Sequence, residues 1–179
     1  MTQLELKANA DDHRIAKLAA VALGLTLLEA AIPSPLPGVK PGLANIITLV
    51  VLARFGWRSA AWVTLLRVMA GSLLLGTFLS PTFMLSLSGA IVSLAMLAIA
   101  HTFPARFFGT VTQSILAAFA HFAGQLAVVY FWLIPHAGVA YLIPIFAAAA
   151  LLFGTLNGIA AATLLERLPT APDPACVTS

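Results

Sequence analysis

The sequence predicts an all-α fold: a polytopic integral membrane protein, a six-transmembrane-helix bundle with both termini on the cytoplasmic side. Three observations carry this. Of 179 residues, 61% are hydrophobic and only 8% are Asp, Glu, Lys or Arg, against about 25% charged in soluble domains, so there is too little charge to cover a water-facing surface. The apolar residues gather into runs long enough to cross hydrocarbon. These runs lack the polar alternation of barrel strands, which leaves helices as the spanning elements. Finally, Lys and Arg alternate from one connection to the next, the pattern that sets orientation.

In chain order, residues 1–12 are expected to form a polar cytoplasmic arm, 13–167 a single six-helix membrane domain, and 168–179 a disordered cytoplasmic tail rich in proline. The apolar runs within the domain cover 15–32, 42–55, 57–79, 81–100, 106–134 and 139–165. The first is not read as a cleavable signal, because Asp11 and Asp12 precede it, Glu29 interrupts its end and no A-x-A site follows. Lys7, Arg14 and Lys17 mark the N-terminal side, Arg54 and Arg58 the second connection, Arg106 the fourth and Arg167 the C-terminus. The third and fifth connections have no Lys or Arg, and the first has only Lys40, the sole basic residue assigned to the outer side. These features fit a multi-pass membrane protein.

The net charge of +3 does not imply nucleic-acid binding, because the basic residues stand singly at segment ends and form no patch with interleaved aromatics. One cysteine, Cys176, excludes an internal disulfide. The terminal "CVTS" echoes a prenylation box only superficially, since Thr178 is a poor aliphatic and no polybasic stretch precedes it.

Charged groups inside a span usually face a protein interior, a cavity or a partner. Glu29 near the outer end of the first helix, Lys40 in the first connection and Arg67 in the middle of the third helix are the candidates. Arg67 can reach outward about one turn by snorkelling, towards Glu29 if the first and third helices are neighbours. Two readings stand together: a buried Glu29–Arg67 ion pair that fixes packing, or a site in which Arg67 and Lys40 hold an anionic or polar solute. His121 and Gln125 lie one turn apart on one face of the fifth helix, and Asn45 and Asn157 add amides on the second and sixth. Interhelical hydrogen bonding explains each amide singly. Polar groups on several helices suggest instead a cavity opening outward, with Lys40, Asn45, Arg67, His121 and Gln125 binding solute and Glu29 and Asn157 in support. No Cys, Asp or second His stands at ligand spacing, so neither a metal nor another cofactor is expected.

Small residues at four-residue spacing let helix backbones approach closely in lipid. Gly71, Gly89 with Ser93, and Gly154 with Gly158 suit internal packing. The Ala16-Ala20-Gly24 stripe suits either internal packing or docking on a separate subunit. In "AIPSPLPGVKPGLANI" (31–46), Pro33, Pro35 and Pro37 favour an extended path and Pro41 suits the first turn of the next helix. That short helix preceded by irregular backbone can aim amides at an anion, so Pro33, Pro35, Pro37, Gly38 and Pro41 are read as a lid over the site. A plain outer connection remains the alternative.

The segments "LEAAIPSPLPGVKPGLANIITL", "LLRVMAGSLLLGTFLSPTFMLSLSGA", "AHFAGQL" and "YLIPIFAAAALLFGTLNG" resemble the Gx transporter family, also labelled heptaprenyl diphosphate synthase component I, over nearly all of residues 20–160. That family is similar to the S components of energy-coupling-factor transporters, small six-helix proteins that bind vitamins at their outer face and dock on an energising module. The resemblance implies a solute-binding membrane protein that helps import a vitamin-, flavin- or isoprenoid-related molecule. Residues 33–41 would then cover the site, and the Ala16-Ala20-Gly24 stripe would be the docking face. It also implies, as the alternative, a non-catalytic membrane subunit of a heptaprenyl diphosphate synthase or of a flavin- or quinone-linked redox complex. The family pattern has a polar Asn after the His of the fifth helix, where this chain has Phe122. Prenyl diphosphate chemistry needs Asp-rich motifs that hold Mg²⁺ against diphosphate. Asp11 and Asp12 are the only adjacent acids, so the chain is not read as a self-sufficient enzyme. Its expected partners are the bilayer, a small-molecule solute and a separate energising or redox module.

Overall fold

A computed structural model describes residues 10–31, 42–103 and 108–168. Five α-helices follow in order: α1 (Ala10–Ala31), α2 (Ala44–Leu74), α3 (Pro81–His101), α4 (Thr110–Val128) and α5 (Ile143–Arg167). A π-helical turn, Val129–Leu133, prolongs α4, and a 3₁₀ turn, Ala137–Leu142, leads into α5. Ser80 starts α3 by accepting a hydrogen bond from the Phe83 N–H on its side chain (3.4 Å), with Pro81 in the first turn.

The continuous range of α2 hides a reversal. Gly56 has φ 80° and ψ 176°, a conformation essentially reserved for glycine. The Thr48 and Thr64 hydroxyls, sixteen positions apart, are hydrogen-bonded at 3.0 Å, whereas a straight helix would hold them about 24 Å apart. Arg67 likewise reaches Asn45 at 3.3 Å. The chain therefore folds back at Gly56 into two antiparallel arms, 44–55 and 57–74. Thr48, Leu49, Val50, Val51 and Leu52 are all buried, the signature of a helix enclosed on every side.

Among the described residues, four helices have the length and apolarity to cross a membrane: Ala44–Leu74, Pro81–Ala100, Thr110–Leu133 and Ala137–Arg167. Six spans were expected, and the difference has physical sources. The two arms of α2 read as one stretch by length, and the first arm alone is only about 18 Å long at the α-helical rise. α1 carries Asp11, Asp12, Arg14, Lys17 and Glu29 within its own range, so it is far less apolar than the others.

The bundle has two unlike halves. The main apolar cluster joins Ala19 and Ala22 of α1, Leu49 to Leu52 with Ala60 and Val63 beside the reversal, Leu97 of α3, Ala117 of α4 and Ala161 of α5. All lie towards the Gly56 end. That end is stitched by basic and aromatic groups. Arg54 donates to the Leu165 and Leu168 carbonyls (3.0 and 2.8 Å) at the α5 C-terminus, where a cation suits the helix dipole. Arg14 lies 5.0 Å over the Phe55 ring, and Trp57 donates to the Leu94 carbonyl (3.1 Å). At the opposite end the helices splay around open space.

Glycines set the closest approaches. A Cβ on Gly154 would lie 2.9 Å from Ile115 Cα, and one on Gly158 would lie 2.8 Å from Val111 Cα, so α4 and α5 meet backbone to backbone. Gly71 faces Leu23 and Thr26, which places α1 against the second arm of α2. Small-residue packing is thus internal at these positions.

The reversal yields a direct prediction. Nothing lies within 4 Å of a Cβ built on Gly56, so Gly56→Ala tests backbone conformation alone. It should destabilise the purified protein by about 1–3 kcal/mol in detergent unfolding. Gly24→Ala, on a helical residue also facing open space, should not.

Candidate functional site

The splayed end encloses a cavity of about 770 Å³, within the size range of small-molecule sites. Every helix contributes to its wall. Thr26 and Glu29 come from α1, Asn45 from the first arm of α2, Arg67, Gly71 and Ser72 from the second arm, Thr82, Phe83 and Ser86 from α3. His121, Phe122 and Gln125 come from α4, and Phe146, Phe153 and Asn157 from α5. Six of the residues singled out in the sequence, Glu29, Asn45, Arg67, His121, Gln125 and Asn157, therefore face one space. Lys40 and the lid residues Pro33, Pro35, Pro37, Gly38 and Pro41 lie outside the described residues.

The polar groups form two clusters. The first is built on the entry to α2. Gly42, at φ 71°, turns its carbonyl so that it accepts from the Asn45 N–H (2.8 Å) and from Asn157 Nδ2 (3.2 Å). The next residue, Leu43, donates its N–H to the Glu29 carboxylate. Glu29 and Asn157, from the first and last helices, thereby hold one turn of backbone between them. A side chain at position 42 would crowd both amides, since its Cβ would lie 3.1 Å from Asn45 Nδ2 and 3.4 Å from Asn157 Nδ2. Neither Gly42 nor Leu43 was singled out in the sequence, because their contribution is a backbone carbonyl and a backbone N–H, which residue type does not reveal.

Arg67 joins this cluster from the second arm. It is 8% exposed, and its Nη2 donates to Asn45 Oδ1 at 3.3 Å. Its Nε is buried without a hydrogen-bond partner among the described residues. The Glu29 carboxylate acts on the guanidinium through charge and also accepts the Leu43 N–H. The Glu29–Arg67 pair read from the sequence is thus an electrostatic neighbour relation across the cavity wall.

The second cluster is on α4. Gln125 Nε2 lies 3.2 Å from His121 Nε2, as their one-turn spacing allows. The imidazole packs over Gly89 of α3, where a Cβ would come within 2.7–2.9 Å of three ring atoms. Gly89 is therefore a seat for the ring as well as a packing residue. Phe122 presents an apolar wall and meets Phe146 edge to face at 5.1 Å. The aromatic lining escaped the sequence reading, because a phenylalanine in a membrane helix carries no signal that separates cavity from lipid. Below the cavity a separate void of about 20 Å³ is lined by Asn45, Thr48, Ser114 and Asn157, room and polarity for about one water.

The Ala16-Ala20-Gly24 stripe stands apart. All three residues are exposed, and a Cβ on Gly24 would meet nothing within 4 Å. Of the two readings of that stripe, internal packing does not hold.

Chemically, the site offers a buried guanidinium whose Nε has no acceptor among the described residues, an imidazole–amide pair and an aromatic wall. Glu29 is the one carboxylate lining it, and no group of three or more metal-ligating side chains occurs, in both cases among the described residues. The arrangement suits recognition of a polar head on an apolar body, and it offers no acid cluster of the kind that holds Mg²⁺ against a diphosphate.

In comparisons with known proteins, the family described as heptaprenyl diphosphate synthase component I matches residues 18–164. No curated protein and no solved structure matches the chain.

Removing the acceptor that holds Leu43 should be costly. Glu29→Ala is expected to lower stability by about 1–3 kcal/mol, the range for stranding a buried donor. Glu29→Gln, whose amide oxygen still accepts, should recover part of that loss. Thermal unfolding of the purified variants measures both, and equal stability of Glu29→Ala and wild type would remove the anchoring role.

Proposed function

The chain belongs to the heptaprenyl diphosphate synthase component I family, and from that premise we propose that it is a non-catalytic membrane protein that binds a small solute in the cavity and helps import it. The observation that carries this reading is the convergence of Glu29, Asn45, Arg67, His121, Gln125 and Asn157 on one cavity of about 770 Å³. Purely structural polar groups in a bundle need partners, not a shared hollow.

The two unlike ends support an orientation. Arg14, Arg54 and Arg58 belong to the packed end, and Arg167 terminates α5 there. Basic residues favour the cytoplasmic side, so the cavity faces outward. The reversal at Gly56 then counts as a cytoplasmic turn, giving six crossings with both termini inside, in a bacterial inner membrane. The short first arm of α2 suits this scheme because it is enclosed by protein and need not match the full hydrocarbon thickness. Ala30 and Gly42, which flank Lys40 and the proline-rich residues 33–41 in the sequence, line the cavity, which supports reading that segment as a rim or lid. The exposed Ala16-Ala20-Gly24 stripe is the face offered to an energising module.

The family description favours a second reading, a membrane subunit that assembles with a separate prenyl-synthesising component. The same exposed stripe would serve it.

Two experiments test these readings. Native mass spectrometry of the purified protein should reveal a co-purifying small molecule that is lost in a folded Arg67→Ala variant. An empty protein that instead retains a soluble prenyl synthase would favour the second reading. For topology, in a Cys176→Ser background, Leu79→Cys and Gly138→Cys should react with an impermeant maleimide on intact cells, whereas Phe108→Cys should react only after lysis. The reverse pattern would overturn the orientation.

A further inference from the structure

The state of Arg67 indicates what kind of solute the cavity takes; this step rests on the reading of the cavity as a binding site. A guanidinium presents five N–H groups in a planar fork, and burying it is expensive unless they are matched. Asn45 accepts from one terminal nitrogen, while Nε is buried with no acceptor among the described residues, and Arg67 lines a cavity large enough for a ligand. The nearby carboxylate of Glu29 spends a hydrogen bond on the Leu43 N–H. What is missing is an acceptor that meets Nε and a neighbouring terminal nitrogen together, which is the geometry of a carboxylate against a guanidinium edge.

Charge narrows the class further. Among the described residues, Arg67 is the one Lys or Arg on the cavity wall, and Glu29 shares that wall. Glu29 already acts on Arg67 through charge, so the described charges of the wall sum to zero and a monoanion adds the smallest excess. A diphosphate would bring two further negative charges into a low-dielectric site that already holds a carboxylate, without a metal-binding acid cluster to offset them. Much of the rest of the wall is apolar and aromatic, with Phe83, Phe122 and Phe146 facing the same space, while the Gln125 amide and the hydroxyls of Thr26, Thr82 and Ser86 line it for a second polar group.

We propose that the cavity binds an organic monoanion, a carboxylate on an apolar or aromatic body, with the carboxylate seated on the Arg67 guanidinium edge and the body against the phenylalanines.

The test uses the full chain in phosphatidylcholine nanodiscs, with hydrocinnamate and octanoate as probes and their primary amides as neutral twins. Binding is followed by saturation-transfer NMR and by competition between twins. The acids should bind saturably, each at least about tenfold more tightly than its amide, because only the anion satisfies the buried fork. Arg67→Gln should abolish that preference and Arg67→Lys should retain part of it. Should Arg67→Gln fail to fold, the acid–amide comparison on the wild type still decides. Equal binding of acid and amide would overturn the proposal, as would failure of both acids to bind. Tighter displacement by geranyl diphosphate would show a polyanion site and overturn it too. Loss of acid binding when phosphatidylglycerol is added to the nanodiscs would reassign the site to a lipid headgroup and overturn it as well. A neutral molecule co-purifying in an Arg67-dependent manner would sink this inference while leaving the solute-binding reading intact.

Discussion

The structure depends on how one turn of irregular backbone is satisfied inside an apolar bundle. Buried carbonyl and N–H groups must find partners, and at Gly42 and Leu43 the chain enters α2 where no regular helix supplies them. Glu29 from α1 takes the Leu43 N–H, and Asn157 from α5 donates to the Gly42 carbonyl. One turn thus ties the first and last helices of the bundle to the start of the most buried one. Because Asn45 is fixed in the same turn, its side chain can meet Arg67 across the hairpin. The cavity wall is a consequence of that arrangement.

The contrast between the two ends has a parallel origin. Around Gly56 the chain buries aliphatic side chains and alanines in one cluster. At the other end larger polar and aromatic side chains face each other across a gap. Close backbone contact between α4 and α5, set by Gly154 and Gly158, keeps these helices together on one side while α1 closes on the second arm of α2 at Gly71. Tight seams on the flanks allow the centre to stay hollow without loss of packing elsewhere.

Much of this was legible in the sequence. Charge scarcity and long apolar runs implied membrane helices, and Glu29, Asn45, Arg67, His121, Gln125 and Asn157 stood out because a polar side chain in a span is costly enough to require a reason. Their convergence follows from helix order, which the sequence suggests only in outline. Three things were hidden for physical reasons. Gly42 and Leu43 act through the backbone, so residue type says nothing of their role. The phenylalanine wall is indistinguishable from lipid-facing aromatics by composition. The number of spanning helices depends on how a reversal at a single glycine is counted, and periodicity cannot show that Gly56 sits at φ 80° while Gly154 and Gly158 stay helical.

The six polar residues of the cavity do not have equal duties. Glu29, Asn45 and Asn157 are engaged in holding the entry to α2, and their cost is met by the contacts they make there. His121 is held between Gln125 on its own helix and the Gly89 backbone of α3. Arg67 is the exception, because its one described hydrogen bond leaves Nε buried and unmatched. A bundle that needed Arg67 only to secure Asn45 would be served by a neutral donor at far smaller desolvation cost. Keeping a guanidinium there makes physical sense if something brought into the cavity completes its set of partners. That separates the residues that build the hollow from the residue around which its occupant is proposed to be arranged.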